Sequence, residues 1–278
     1  MFYTLDSNPQ ENLEFKPNSY HTMCFCCFRD KEHALSWIKK LIPQNRCQVF
    51  HKWSSESVRG RRKQKVRETF IENINKNIHD IDFKVYCISS TESDISFITQ
   101  GFYSSNLNNI SQEKNDNGKN YLVFKITQNN NIKIPALRAA RLIWAFEGLR
   151  MLNSMFEFEG KILSDWFASD SYDTAVPVTG VSLVNFLLSN IGIKIQLEIP
   201  NDPKNEIFEL MSDWFSGWCR TYMEKSEPFG SKYEKLIEKA PEKFIHLILN
   251  PPYNPITYGQ HCLLMEFNTT TNTLRLVY

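Results

Sequence analysis

From Ile207 to Trp218 the chain reads Ile-Phe-Glu-Leu-Met-Ser-Asp-Trp-Phe-Ser-Gly-Trp, its most apolar helix-like stretch, with Asp213 near the middle. A segment this apolar must be covered, so the chain has to build a core around it. Asp213, between Met211 and Trp214, is expected at the rim of that core, where an unpartnered carboxylate is expensive. At the other end of the chain Asp6 closes the run Met1-Phe2-Tyr3-Thr4-Leu5. A strand end and a helix face that bring two carboxylates together offer the hard oxygen ligands that Mg²⁺ takes.

The remaining composition agrees with a packed fold. At 278 residues, with 42% hydrophobic and 13% aromatic content, the chain can build one sizeable core, or one core with an inserted lobe. Its net charge of +1 points to no partner globally, so any basic surface is local. No apolar run approaches the ~18 residues of a membrane span, and the N-terminus lacks a signal-peptide pattern. A cytoplasmic protein with no membrane partner is expected. Seven cysteines, an odd number, argue against a disulfide framework.

Alternation predicts strands near residues 2–6, 21–28, 47–53 and 81–89. Helical spacing marks 31–42 and a charged helix at about 58–79. Residues 103–133, rich in Asn, Ser and Lys around a strand-like patch at 121–126, read as an inserted, exposed excursion. A long helix follows at 136–156, then a strand at 161–167 ending near Asp165, a helix at 180–190, a strand at 193–199 and a helix at 205–223. The tail after Pro241 reads as a strand, a Pro-rich turn and a closing hairpin (262–267, 273–277). The expected fold is α/β. Its mixed sheet has antiparallel first strands and then parallel ones, flanked by helices, with a polar lobe inserted at about 100–133. Residues 224–278 form an extension packed on the core of 1–223.

Three short motifs carry a resemblance. Asp6-Ser7-Asn8-Pro9 stands where a family of RNase H-like proteins of unknown function opens with a D-E-S-G strand; only the aspartate is kept. Glu209-Leu210-Met211-Ser212-Asp213 stands where that family has Q-x-A-D on a late helix, and it loses the glutamine. Gly160-Lys161-Ile162-Leu163-Ser164-Asp165 resembles its internal strand ending in an acid. The match covers roughly residues 1–223. The resemblance implies an RNase H-like fold and phosphodiester hydrolysis of DNA or RNA by two cations, Mg²⁺ or Mn²⁺. Asp6 would bridge them and Asp213 would hold one; Asp165 or Glu92 would complete the catalytic set. Each acid can also be read as an ordinary strand-end or turn residue, Asp213 least readily.

Arg59, Arg61, Arg62, Lys63, Lys65 and Arg67 put six basic residues into nine positions, a local patch suited to phosphate backbones. His51, Lys52 and Trp53 just before it offer a further charge and a stacking ring. A solvated helix face balanced by Glu68 and Glu72 is the plainer account. Asn250-Pro251-Pro252-Tyr253 after an apolar strand is similar to the catalytic loop of amino-methyltransferases. None of the ten glycines forms the G-x-G that their cofactor turn needs, and only 25 residues follow Tyr253. Cys24, Cys26 and Cys27 alternate across a strand, poor geometry for a zinc site, and read as small core residues.

Three classes of function follow. The first is a metal-dependent nuclease, by fold-level analogy in genome defence or mobile-element biology. The second is a catalytically inactive relative that binds nucleic acid or a partner protein, its carboxylates apart or paired with arginines such as Arg138 or Arg141. The third is an amino-methyltransferase-related protein. Trp214 and Trp218 are candidates for a homo-oligomer or partner interface as well as for core.

Overall fold

The computed structural model describes residues 1–8, 19–45, 49–53, 61–105, 110–114, 120–127, 130–156, 158–164, 180–200, 207–249, 264–268 and 273–277. Strand β1 (Phe2–Asn8) runs antiparallel to β2 (Tyr20–Phe28), with Phe2 opposite Phe28 and Asn8 opposite Thr22. Two helices follow, α1 (Lys31–Leu41) and α2 (Arg61–Asn77), before β3 (Lys84–Thr91) returns antiparallel to β2. On the other side of β1, β7 (Gly160–Leu163) and then β8 (Ile195–Glu198) add in parallel. Beyond β3, β9 (Phe244–Ile248) adds in parallel. The six-stranded sheet therefore has the order β8-β7-β1-β2-β3-β9, mixed in direction, with β2 opposed to the other five.

Alternation sorts the strand side chains into two cores. Tyr3, Leu5, Met23, Phe25, Tyr86 and Ile88 face one side; Cys24, Cys26, Phe28, Val85 and Cys87 face the other. The first side is covered by α3 (Glu92–Ser105), α4 (Ala136–Phe156) and α5 (Gly180–Asn190). The second carries α1, α2, α6 (Leu210–Met223) and α7 (Phe229–Lys239). A helix covered on every side needs no polar face. Helix α4 is such a helix, buried without a break from Ala139 to Leu149. What covers its far side is a separate antiparallel sheet of β4 (Ile110–Lys114), β5 (Asn120–Thr127) and β6 (Asn130–Pro135), which puts Ile110, Leu122, Phe124, Ile132 and Ile134 into the same core. The 103–133 segment is thus partly core and not only an exposed excursion. Strands β10 (Leu264–Asn268) and β11 (Thr273–Val277) form an antiparallel hairpin.

Residues 49–53 are not a strand, contrary to the alternation there. Phe50 makes a single bridge to Gln44. The bridge is made by the His51 N–H donating to the Pro43 carbonyl and the Asn45 N–H to the Val49 carbonyl; beyond it the His51 carbonyl accepts the Trp214 indole and the Trp53 N–H goes to Asp213. With the His51 carbonyl and the Trp53 N–H committed to α6, the ladder does not extend past the bridge. Among the described residues no helix is long and apolar enough to cross a membrane.

Candidate functional site

Helix α6 lies across β1, β2 and β3, and polar groups set its position. Thr4 and Ser212, 208 residues apart in sequence, share a buried hydroxyl–hydroxyl hydrogen bond of 2.5 Å. The Thr22 hydroxyl donates to the Ser216 carbonyl at 2.7 Å. Asp6 lies two residues beyond Thr4 on the same face of β1, and Asp213 follows Ser212 on α6. They are 4% and 3% exposed.

Each carboxylate is oriented by a backbone donor. The Ser7 N–H donates to Asp6 Oδ1 at 2.6 Å, and the Trp53 N–H donates to Asp213 Oδ2 at 2.7 Å. Arg67 completes the second arrangement. Its guanidinium lies 4.0 Å from the centre of the Trp53 ring and donates to the Trp53 carbonyl at 3.1 Å. Burial lowers the Arg67 pKa to about 10, while the charge of Asp213 pulls it up. The group stays cationic at neutral pH and offers Asp213 a counter-charge.

The other expected site residues separate. Glu92 is buried on the α4 side of the sheet with its carboxylate against the His21 ring, which lies edge-on to Trp144. It does not join Asp6 and Asp213. Asp165 lies outside the described residues; Ser164, just before it, still donates its N–H to the Glu198 carbonyl. Among the described residues no group of three or more His, Cys, Asp or Glu is arranged to hold a metal ion.

The basic run divides. Lys52 and Lys65 are exposed and Lys63 is half-buried, whereas Arg67 turns inward onto Trp53. Arg59 and the side chains of Arg61 and Arg62 lie outside the described residues. Trp53 is no exposed stacking ring: it is buried against Gly217 and edge-on to Trp214. Trp214 and Trp218 are likewise fully buried, which makes them core and not interface. Asn250, Pro251, Pro252 and Tyr253 lie outside the described residues.

Sequence reasoning missed Thr4, Ser212, Trp53 and Arg67 as the groups that position the two aspartates. Small hydroxyls at Ser212 and Ser216 within an otherwise apolar helix were the available signal, since a buried hydroxyl requires a partner. Comparison of the chain with protein-family models, curated proteins and solved structures returns no match.

Proposed function

We propose that the chain is a metal-dependent nuclease of RNase H-like type, with Asp6 and Asp213 at the heart of its site. The observation that supports the reading is the Thr4–Ser212 contact, which sets β1 against α6 two residues before Asp6 and one before Asp213. The strand order supports it: an antiparallel β1-β2-β3 set with two strands added in parallel beside β1 is the arrangement the resemblance implies.

The residues fit a hard divalent cation, Mg²⁺ or Mn²⁺, as far as two carboxylates can. Backbone donors orient both, as outer-shell donors orient ligating carboxylates. Asp6 and Asp213 would hold the ion, with Asp165 as the further ligand the motif supplies. Bound there, the metal would supply an activated water and charge stabilisation of the leaving oxygen. Lys52, Lys63 and Lys65 would meet the nucleic-acid backbone. A second reading, an inactive nucleic-acid or protein-binding relative, is favoured by Arg67, whose guanidinium balances Asp213 without a metal ion.

One experiment separates the two. Calorimetry with Mn²⁺ on the wild type and on Asp213→Asn is run beside cleavage assays on DNA and RNA. The nuclease reading expects metal binding and metal-dependent cleavage in the wild type, both lost in the variant. Absence of binding at millimolar Mn²⁺ overturns it and leaves the binding module.

A further inference from the structure

Four cysteines meet beneath α6, and the proposed site uses none of them. Cys24 and Cys26 of β2, Cys87 of β3 and Cys219 of α6 are free thiols and fully buried. They form a chain of contacts and not a cage. The Cys24 and Cys26 sulfurs are 3.9 Å apart, those of Cys24 and Cys87 are 3.4 Å apart, and Cys219 contacts Ser89 and His246 at 3.4 Å each.

Cys24 and Cys87 have the backbone relation of a disulfide. They stand directly opposite each other in the antiparallel β2–β3 ladder. Opposed residues have Cα atoms about 4.5–5.5 Å apart. That falls within the range of about 4.4–6.8 Å that a disulfide spans. Cys24 and Cys26, two apart on one strand, are roughly 6.7 Å apart at Cα, and their Cα–Cβ bonds run side by side instead of converging.

We propose that Cys24 and Cys87 are a site of reversible oxidation, closing a cross-strand disulfide when the protein meets a peroxide. The Cys87 thiolate attacks one peroxide oxygen and the O–O bond breaks, leaving a sulfenic acid and hydroxide. The Cys24 sulfur then attacks the Cys87 sulfur, the S–S bond forms and the sulfenic oxygen leaves as hydroxide. The two thiol protons convert the two hydroxides to water. In sum, two thiols lose two electrons and two protons, and the peroxide is reduced to two waters.

The surroundings assign the roles. Burial alone would raise the Cys87 pKa, but hydrogen bonds from Cys219, Cys24 and Tyr233 favour its thiolate and lower it. Cys24, its sulfur 3.4 Å away across the ladder, is the thiol that resolves. Both sulfurs lie under α6, so oxidation waits on local opening of the helix from the sheet and is slow.

The test uses the full reduced chain. It is exposed to hydrogen peroxide, alkylated on unfolding, digested without reduction and mapped by mass spectrometry with fragmentation. The expected result is a species lighter by two hydrogens with Cys24 joined to Cys87, restored to the thiols by dithiothreitol. Cys219→Ser is expected to keep the crosslink and Cys87→Ser to abolish it. The wild-type map decides the question without relying on a variant that must fold. A crosslink of Cys24 to Cys26 or of Cys87 to Cys219 overturns the proposal. So does recovery of both thiols after a treatment that oxidises the urea-unfolded chain.

Discussion

At the scale of single residues, Trp53 ties α2 to α6. Its ring rests on Gly217, its N–H orients Asp213 and its carbonyl accepts from Arg67. The glycine is needed here for space: a methyl group at position 217 would overlap the Trp53 ring. Gly217→Ala is expected to push the ring outward and lower stability by about 1–3 kcal/mol, the usual cost of overpacking a filled core. Urea unfolding with tryptophan fluorescence checks this, and an unchanged midpoint with unchanged fluorescence would contradict the packing. The Asp213 amide partner was not legible in advance. Residues 51–53 carry a strand-like, basic pattern, and nothing local says that their backbone groups are taken by side chains more than 150 positions away.

Among the elements, α3 is the helix whose start signal is plainest once seen. Thr91 and Asp94 form a reciprocal cap: the Thr91 N–H and hydroxyl donate to the Asp94 carboxylate, and the Asp94 N–H donates to the Thr91 hydroxyl. Asp94→Ala should cost about 1 kcal/mol, the usual worth of such a cap. Faster amide exchange confined to the first turn of α3 is the expected signature, and unchanged exchange there would count against it. The Thr-x-x-Asp spacing was present in the sequence but was overshadowed by the polar run that follows. The 136–156 and 180–190 helices were read at their observed bounds, because apolar residues dominate both and Pro135 marks where the first begins. The order of strands in the sheet is another matter. Which strands pair is decided by long-range packing, and β9 beside β3 had no local signal.

For the molecule as a whole, burial of charge sets a dependence on pH. Burial raises the Glu147 pKa from about 4.5 to about 7, against the pull of Arg150. The folded state therefore holds a proton that the unfolded chain has released. Stability should fall as pH rises from about 4.5 to 7, and the loss is complete above that window. Glu147→Gln is expected to flatten this part of the stability profile relative to the wild type. Denaturant midpoints between pH 4.5 and 8 measure it, and parallel profiles would refute it. Sheet topology has a consequence for biosynthesis. Strand β1 pairs with β7, Tyr3 opposite Ile162, and β3 pairs with β9, Val85 opposite Phe244. Helix α6, which covers the Cys24–Phe28 face, starts only at Leu210. Synthesis must therefore run on past Leu210 before the cover of the β1–β2 pair can be completed. Until then α1 and α2 cover that face only in part, and the Thr4 and Thr22 hydroxyls that α6 takes up stay open to water.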